Sequence, residues 1–316
     1  MIKRGVTVAI LLLVTFSGVS RPSAMERKRV LMALWRGPTT VEWHFKEYLG
    51  ELGVSVTYTE VNGGQDRTRL GEALRAVGPD MMAGKFDVIY SYGTTVSIMV
   101  TQFNRGRIPV VFNRVFDPVG AGLVNSLERP GRNITGVSNG VPIDLQLDTF
   151  RKLKPFRRMV LLFTSREKNA TLLSERVDAW ASARGVALSL VRVAPNSDAL
   201  DRAIEGIRSG KIPCDMVYGG ADSYLASRAV EINNAIGRSV PLFGGTGTFV
   251  EKGWLGAYAP PLDEMGRAAA LKVKEVLEGA RAGEVPVTLP RPVVILSAGA
   301  ARRFGIVPPE DAILQP

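Results

Sequence analysis

The chain reads as an α/β protein made of two similar, doubly wound parallel-sheet lobes joined by a hinge, and three observations carry that reading. The stretch at 87–95, DVIYSYGTT, has a second copy 128 positions later at 215–223, DMVYGGADS. In each copy an acidic residue precedes a short apolar run with a Tyr, then small residues, then Thr, Asp or Ser. That order reads as a buried strand, a tight turn and a helix N-cap. Each copy is followed by a helical segment and a further strand carrying Pro, at 108–112 and 240–243. Strand-like and helix-like segments alternate elsewhere too, as they do where helices connect parallel strands. Finally, Gly140-Val141-Pro142, Tyr258-Ala259-Pro260-Pro261 and Leu289-Pro290-Arg291-Pro292 are stiff joints that offer three crossovers between lobes. A hinge of a few extended segments lets two rigid lobes close on a ligand, although Pro equally marks simple element boundaries.

Length supports two cores: 316 residues, 46% hydrophobic and 22% charged, is long for one domain and ordinary for a globular protein. The joints divide the chain into a first lobe of 25–139 plus 261–290 and a second of 140–260 plus 291–316. Residues 1–24 read as a secretory signal, with Lys3 and Arg4 ahead of an apolar run from Val6 to Phe16 and then small residues. The run is short for a permanent anchor, and with no Cys near its end nothing suggests a lipid anchor. The expectation is an exported protein, periplasmic or otherwise extracytoplasmic, without stable membrane insertion after signal removal. Removing Lys3, Arg4 and Arg21 lowers the formal charge from +10 to +7. The remaining Lys and Arg are scattered and no nucleic-acid motif accompanies them, so a nucleic-acid partner is not expected.

Taken in order, a strand at 29–34 leads into the loop Trp35-Arg36-Gly37-Pro38-Thr39-Thr40 and a helix over 41–52. Trp35 either stacks on a ligand or packs against that helix. A strand at 54–60 and a helix over 65–82 follow, then the first copy of the repeat, with Tyr92 before the Gly93 turn. The strand at 108–112 ends in the loop Asn113-Arg114-Val115-Phe116-Asp117-Pro118. In the second lobe, strands at 159–163 and 186–193 alternate with helices near 172–184 and 198–209, and 164–169 forms the first mouth loop. After the second copy comes Gly244-Gly245-Thr246-Gly247-Thr248, which lacks the Gly-Lys-Ser/Thr ending of a phosphate loop. A long helix spans 262–282.

In open parallel sheets, ligands bind beyond the carboxyl ends of the strands, where helix N-termini present free N–H groups. Two lobes facing each other make a cleft with Thr94 and Thr95 on one wall and Asp222 and Ser223 on the other. Thr94 and Asp222 are expected to cap helices, with or without a ligand role. Asp117 sits at a cleft mouth, as a turn former or a ligand contact. Arg36 and Arg114, in first-lobe mouth loops, leave room for a ligand more anionic than a zwitterion, although isolated arginines usually face solvent.

The run at 108–138, IPVVFNRVFDPVGAGLVNSLERPGRNITGVS, resembles the segment that marks ABC transporter substrate-binding proteins of the TrpX-like group. The matching pieces are Pro109, Asp117-Pro118-Val119, Ala121-Gly122-Leu123-Val124, Pro130-Gly131 and 133–138. The tail at 297–308, SAGAARRFGIVP, is similar to that group's helix of small residues ending before a Pro. The resemblance implies the type I periplasmic-binding-protein fold, amino-acid-like ligands at the same post-strand positions, and an ABC permease as partner. Trp35, Tyr92, Phe116 and Tyr258 would then line a pocket for an apolar or aromatic side chain. Thr94 and Thr95 would hold a carboxylate, and Asp222 an ammonium.

Catalysis is not expected. The only His, His44, falls mid-helix between Trp43 and Phe45, and the only Cys, Cys214, begins an apolar strand. One of each also excludes a His/Cys metal cluster, and no cofactor motif is present. Two other readings remain at this point. One is a ligand-binding sensor subunit for a membrane receptor; the other is a doubly wound enzyme using carboxylates such as Asp117 and Asp222.

Overall fold

The structure, a computed structural model, describes residues 27–164, 168–195 and 197–316. The signal expected at 1–24, and positions 165–167 of the loop expected at 164–169, lie outside the described residues. The first sheet is built from β1 (Lys28–Leu34), β2 (Val56–Asn62), β3 (Val88–Tyr92), β4 (Val110–Val115) and β5 (Ile134–Ser138), all parallel, in the order β2-β1-β3-β4-β5. Its helices are α1 (Thr40–Glu51), α2 (Arg67–Ala76), α3 (Gly78–Met82) and α4 (Gly93–Asn104). Central strands β1, β3 and β4 carry continuous apolar runs, at 30–34, 88–90 and 110–112, because helices bury both of their faces.

The second sheet has the order β12-β11-β10-β9-β8-β6-β7. The chain enters it through α5 (Ile143–Leu153) and runs β6 (Arg158–Phe163), α6 (Lys168–Ala183), β7 (Ala187–Arg192), α7 (Ala199–Arg208), β8 (Met216–Gly219), α8 (Ser223–Ile236), β9 (Leu242–Gly244), α9 (Gly247–Val250) and β10 (Gly256–Ala259). Then α10 (Leu262–Leu277) returns to the first core, where Met265, Ala269 and Val273 pack with Phe45 and Val111. A 3-10 turn at Ala282–Glu284 and the backbone at Thr288, whose N–H donates to the Gly136 carbonyl at 2.9 Å, run along β5. The last elements, β11 (Val293–Ser297), α11 (Ala298–Phe304) and β12 (Ile313–Gln315), return to the second sheet, with β11 antiparallel to β10 and the other pairs parallel. The chain thus passes between the sheets three times, beside the three Pro-bearing joints.

The repeat extends to side chains at the strands' amino ends. Asp87 accepts from the Arg29 backbone N–H at 2.7 Å and from its guanidinium at 3.1 Å. Asp215 does the same in the second sheet, from the Arg158 N–H at 2.9 Å and guanidinium at 2.7 Å. Both carboxyls are held below the ordinary range. In Asp87 burial pushes upward but is outweighed by the hydrogen bonds and charge of Arg29; in Asp215 the hydrogen bond from Arg158 leads.

Several boundaries differ from the sequence expectation, each for a local reason. The helix expected over 65–82 is two helices, because Pro79 after Gly78 has no N–H for a bond back into α2. The helix expected to reach 282 stops at Leu277, ahead of Gly279 at φ +105°. The strand expected to end at Phe112 continues to Val115 through a register shift between Asn113 and Val115. Gly136 lies so close to β4 that a Cβ there would sit 2.1 Å from the Phe112 carbonyl oxygen, so only glycine fits that pairing.

Candidate functional site

The two copies of the repeat meet across a cleft at the carboxyl ends of both sheets. The walls stand close together, leaving a cavity of only about 40 Å³. The first wall is Arg36, Tyr92, Gly93, Thr94, Arg114 and Phe116; the second is Ala221, Asp222, Ser223, Ala226 and Thr246; Asn139 lies at the first crossover between them.

Arg36 is presented by a loop locked from two sides. Buried Glu42 on α1 accepts the Thr39 N–H at 2.8 Å and the Thr39 hydroxyl at 2.6 Å, and its other oxygen takes the Tyr90 hydroxyl at 2.6 Å. Burial, then the neighbouring Glu42 charge, holds the Tyr90 phenol well above its usual range, so it acts as a fixed donor. Trp35 is buried in the first core, and its carbonyl accepts from Gln65 at 2.7 Å. The loop therefore turns its anchor inward and Arg36 toward the cleft. The Arg36 guanidinium donates to the Ser223 carbonyl of the opposite lobe at 3.2 Å and to the Tyr92 hydroxyl at 3.4 Å.

Arg114 is aimed by the irregularity in β4. Its φ is +58°, a left-handed value uncommon for a residue with a side chain. The Asn113 side chain supports that geometry, accepting the Arg114 N–H at 2.9 Å while its own amide donates to the Met265 carbonyl of α10 at 3.2 Å. An interruption of this kind re-aims a side chain that the strand would otherwise bury. The guanidinium lies 5.4 Å from the centre of the Tyr92 ring and donates to Thr248 of the second lobe at 3.3 Å. Tyr92 thus organises both arginines, one on its hydroxyl and one over its face.

The helices that begin at the cleft start differently. Gly93 stands at φ +77°, so α4 starts at the glycine itself, with Tyr92 as N-cap and no capping side chain. Thr94 is therefore inside the first turn rather than the cap expected for it: the left-handed glycine lets the helix begin one residue sooner. Asp222 is the N-cap of α8, accepting the Leu225 N–H at 3.0 Å. Its second oxygen takes the Thr164 N–H and hydroxyl, both at 2.8 Å, tying β6 to β8 at 2% exposure.

Of the residues picked from the sequence, the cleft brings together Arg36, Tyr92, Thr94, Arg114, Phe116, Asp222 and Ser223. Trp35 is core, and Thr95 is half-buried on α4 without lining the cavity. Asp117 closes its own turn by accepting the Gly120 N–H at 2.8 Å, which is the turn-forming role. Tyr258 packs against the second core while its carbonyl accepts from Gln146 at 2.7 Å. Asn139 was missed. It is 6% exposed, and its side-chain oxygen is buried without a hydrogen-bond partner among the described residues. Its position, at the end of the buried strand 134–138 and just before a crossover glycine, is the signal that marks it.

A family model described as "ABC transporter substrate binding protein" matches residues 45–316. A tyrosine-binding protein of Clostridioides difficile is 26% identical over 216 residues, 68% of this chain and 61% of the relative, so the match spans less than two thirds of that relative's length. A conserved domain protein of Vibrio cholerae superposes with a TM-score of 0.78 at 22% identity, over 92% of this chain and 99% of that one. An ABC domain from Streptococcus pneumonia solved in complex with L-Trp gives 0.74 at 21%, over 90% and 96%. These likenesses establish the two-lobed type I periplasmic-binding-protein fold.

Proposed function

The chain belongs to the ABC transporter substrate-binding protein family, and from that premise we propose that it is the exported solute-binding subunit of an ABC importer. It captures an amino-acid-like molecule between its lobes and delivers it to the permease. The lobes are 25–139 with 261–290 and 140–260 with 291–316, and they close about the three joints. The observation that carries the reading is the cleft itself: guanidinium groups from one lobe donate to acceptors on the other, so its walls share a polar surface that only closure assembles. A ligand carboxylate is held at the uncapped N-terminus of α4, by Thr94 and the first-turn N–H groups, with an arginine beside it. The ammonium goes to the unpartnered Asn139 side-chain oxygen, since both oxygens of Asp222, the acceptor the sequence offered, already accept from Thr164 and Leu225. The Clostridioides difficile relative, named for tyrosine, and the Streptococcus structure, holding L-Trp, support an amino-acid-like ligand.

Binding rather than turnover also suits the reactive groups. The half-buried Cys214 thiol is pushed up to about 11 by burial, with Asp215 adding to it, the reverse of an activated nucleophile. His44 pairs with Glu47 at 3.3 Å on α1 and does not line the cleft. Among the described residues no helix is long and apolar enough to cross a membrane.

The test is a thermal-shift screen against amino acids, small carboxylates, nucleosides and sugars. A ligand binding only the folded form stabilises by about 2.7 kcal/mol at a hundred times its dissociation constant, and Tm keeps rising with concentration. A selective response to amino acids or carboxylates is expected; a response confined to sugars or nucleosides overturns the ligand class.

A further inference from the structure

Among the described residues, both cleft guanidinium groups bond only to neutral partners. Arg36 has the Ser223 carbonyl at 3.2 Å and the Tyr92 hydroxyl at 3.4 Å; Arg114 has the Thr248 hydroxyl at 3.3 Å and the Tyr92 ring. These hydrogen bonds lie at or beyond the long end of the usual range, whereas a guanidinium on a carboxylate closes to about 2.7–2.9 Å. Among the described residues neither arginine takes part in an ion pair, although other arginines do, Arg29 with Asp87 and Arg158 with Asp215 among them. Among the described cleft-lining residues the one carboxylate, Asp222, already serves three donors from Thr164 and Leu225.

A zwitterion brings no net charge to this balance. Its single carboxylate satisfies the α4 N-terminus and one arginine, and the other guanidinium would be left desolvated and unanswered on closure, which is costly. Tyr92 holds the two groups at separate points, Arg36 at its hydroxyl and Arg114 over its ring, so they are placed for two acid groups rather than one. The partnerless Asn139 oxygen asks for a donor on the same molecule. Of the four aromatic residues the sequence offered for an aromatic side chain, Phe116 lines the cavity and is free for it, whereas Trp35 and Tyr258 do not line it and Tyr92 already carries the arginines.

We propose that the cleft selects a small dicarboxylate bearing an amino or hydroxyl donor, an acidic amino acid being the simplest case, with Arg36 and Arg114 taking the two acid groups and Asn139 the donor. This rests on the binding-protein reading above and narrows its ligand class.

Titration calorimetry of the purified protein tests it, with L-aspartate, L-glutamate and L-malate against L-tyrosine, L-tryptophan, L-leucine and inorganic phosphate. At least one dicarboxylate is expected to bind about ten-fold or more tighter than any neutral amino acid, since one charge-assisted hydrogen bond is worth roughly that factor. Its affinity should fall as salt rises. Arg36→Gln and Arg114→Gln should each lower it by about ten-fold or more. Arg114→Lys, which keeps the charge, recovers part of the loss, and melting curves confirm that each variant is folded. A neutral amino acid binding tightest, unaffected by either glutamine variant, overturns this inference and leaves the binding-protein reading intact. Phosphate binding tightest overturns the dicarboxylate. If neither a dicarboxylate nor an amino acid binds, this inference and the amino-acid-like ligand class fall together.

Discussion

The two walls of the cleft carry related sequences, at 87–95 and 215–223, yet they have divided the work. In the first lobe the start of α4 is uncapped, lies on a left-handed glycine and is flanked by Arg36 and Arg114. In the second, the start of α8 is closed by Asp222, which also ties down Thr164. A helix N-terminus with its own carboxylate has its partial positive charge answered from within; one without it remains available to an anion. One scaffold has thus become a cationic wall and a self-satisfied wall. On the proposed reading, ligand polarity follows from which copy holds a capping side chain.

The largest effect expected from breaking this contrast is in Asp222→Ala. It removes the cap of α8 and strands the buried Thr164 N–H, which together cost about 3 kcal/mol. Chemical denaturation should show that loss in the absence of any ligand. Full stability with weakened ligand binding would mean that Asp222 serves the ligand rather than the fold.

An intermediate effect is expected at Arg114. Glycine there relieves a left-handed backbone that costs an L-residue roughly 1 kcal/mol, so Arg114→Gly should melt no lower than the parent, or slightly higher, while dicarboxylate binding is lost. A clear drop in Tm would show that the Arg114 contacts across the cleft contribute more to stability than the strain removes.

The smallest effects concern the feature the lobes still share. Asp87→Asn and Asp215→Asn should lower Tm slightly and similarly at neutral pH. Each carboxyl has a folded-state pKa below its unfolded value of about 3.9, so its stabilisation is present above that value and fades as pH falls through the folded one. The gap between parent and variant should close in acid. If Asp215→Asn alone changes Tm, the pairs are not equivalent and the symmetry of the lobes ends at their backbones.

Much of the fold was legible because its signals are local. The apolar run of β3, the turn after it and the Asp222 cap are each written within a few residues, and their recurrence announces a second lobe. The failures have local causes of another kind. Thr94 looks like a cap on residue type alone, but Gly93 permits an earlier helix start. Trp35 and Tyr258 stand at strand ends like pocket residues, but a strand end fixes where the chain is, not which way a large ring packs. Arg114 fell on a segment read as loop, because a strand interruption has no residue signature in β4.

Neighbouring residues and their spacing were enough to set the alternation of strands and helices, the duplication, the joints and the family resemblance. The character of the cleft came instead from packing. Arg114 and Thr248, Arg36 and Ser223, and Asp222 and Thr164 meet from distant parts of the chain. Whether a guanidinium finds a carboxylate or a neutral oxygen depends on how two packed lobes are set against each other, and no window of sequence contains both walls.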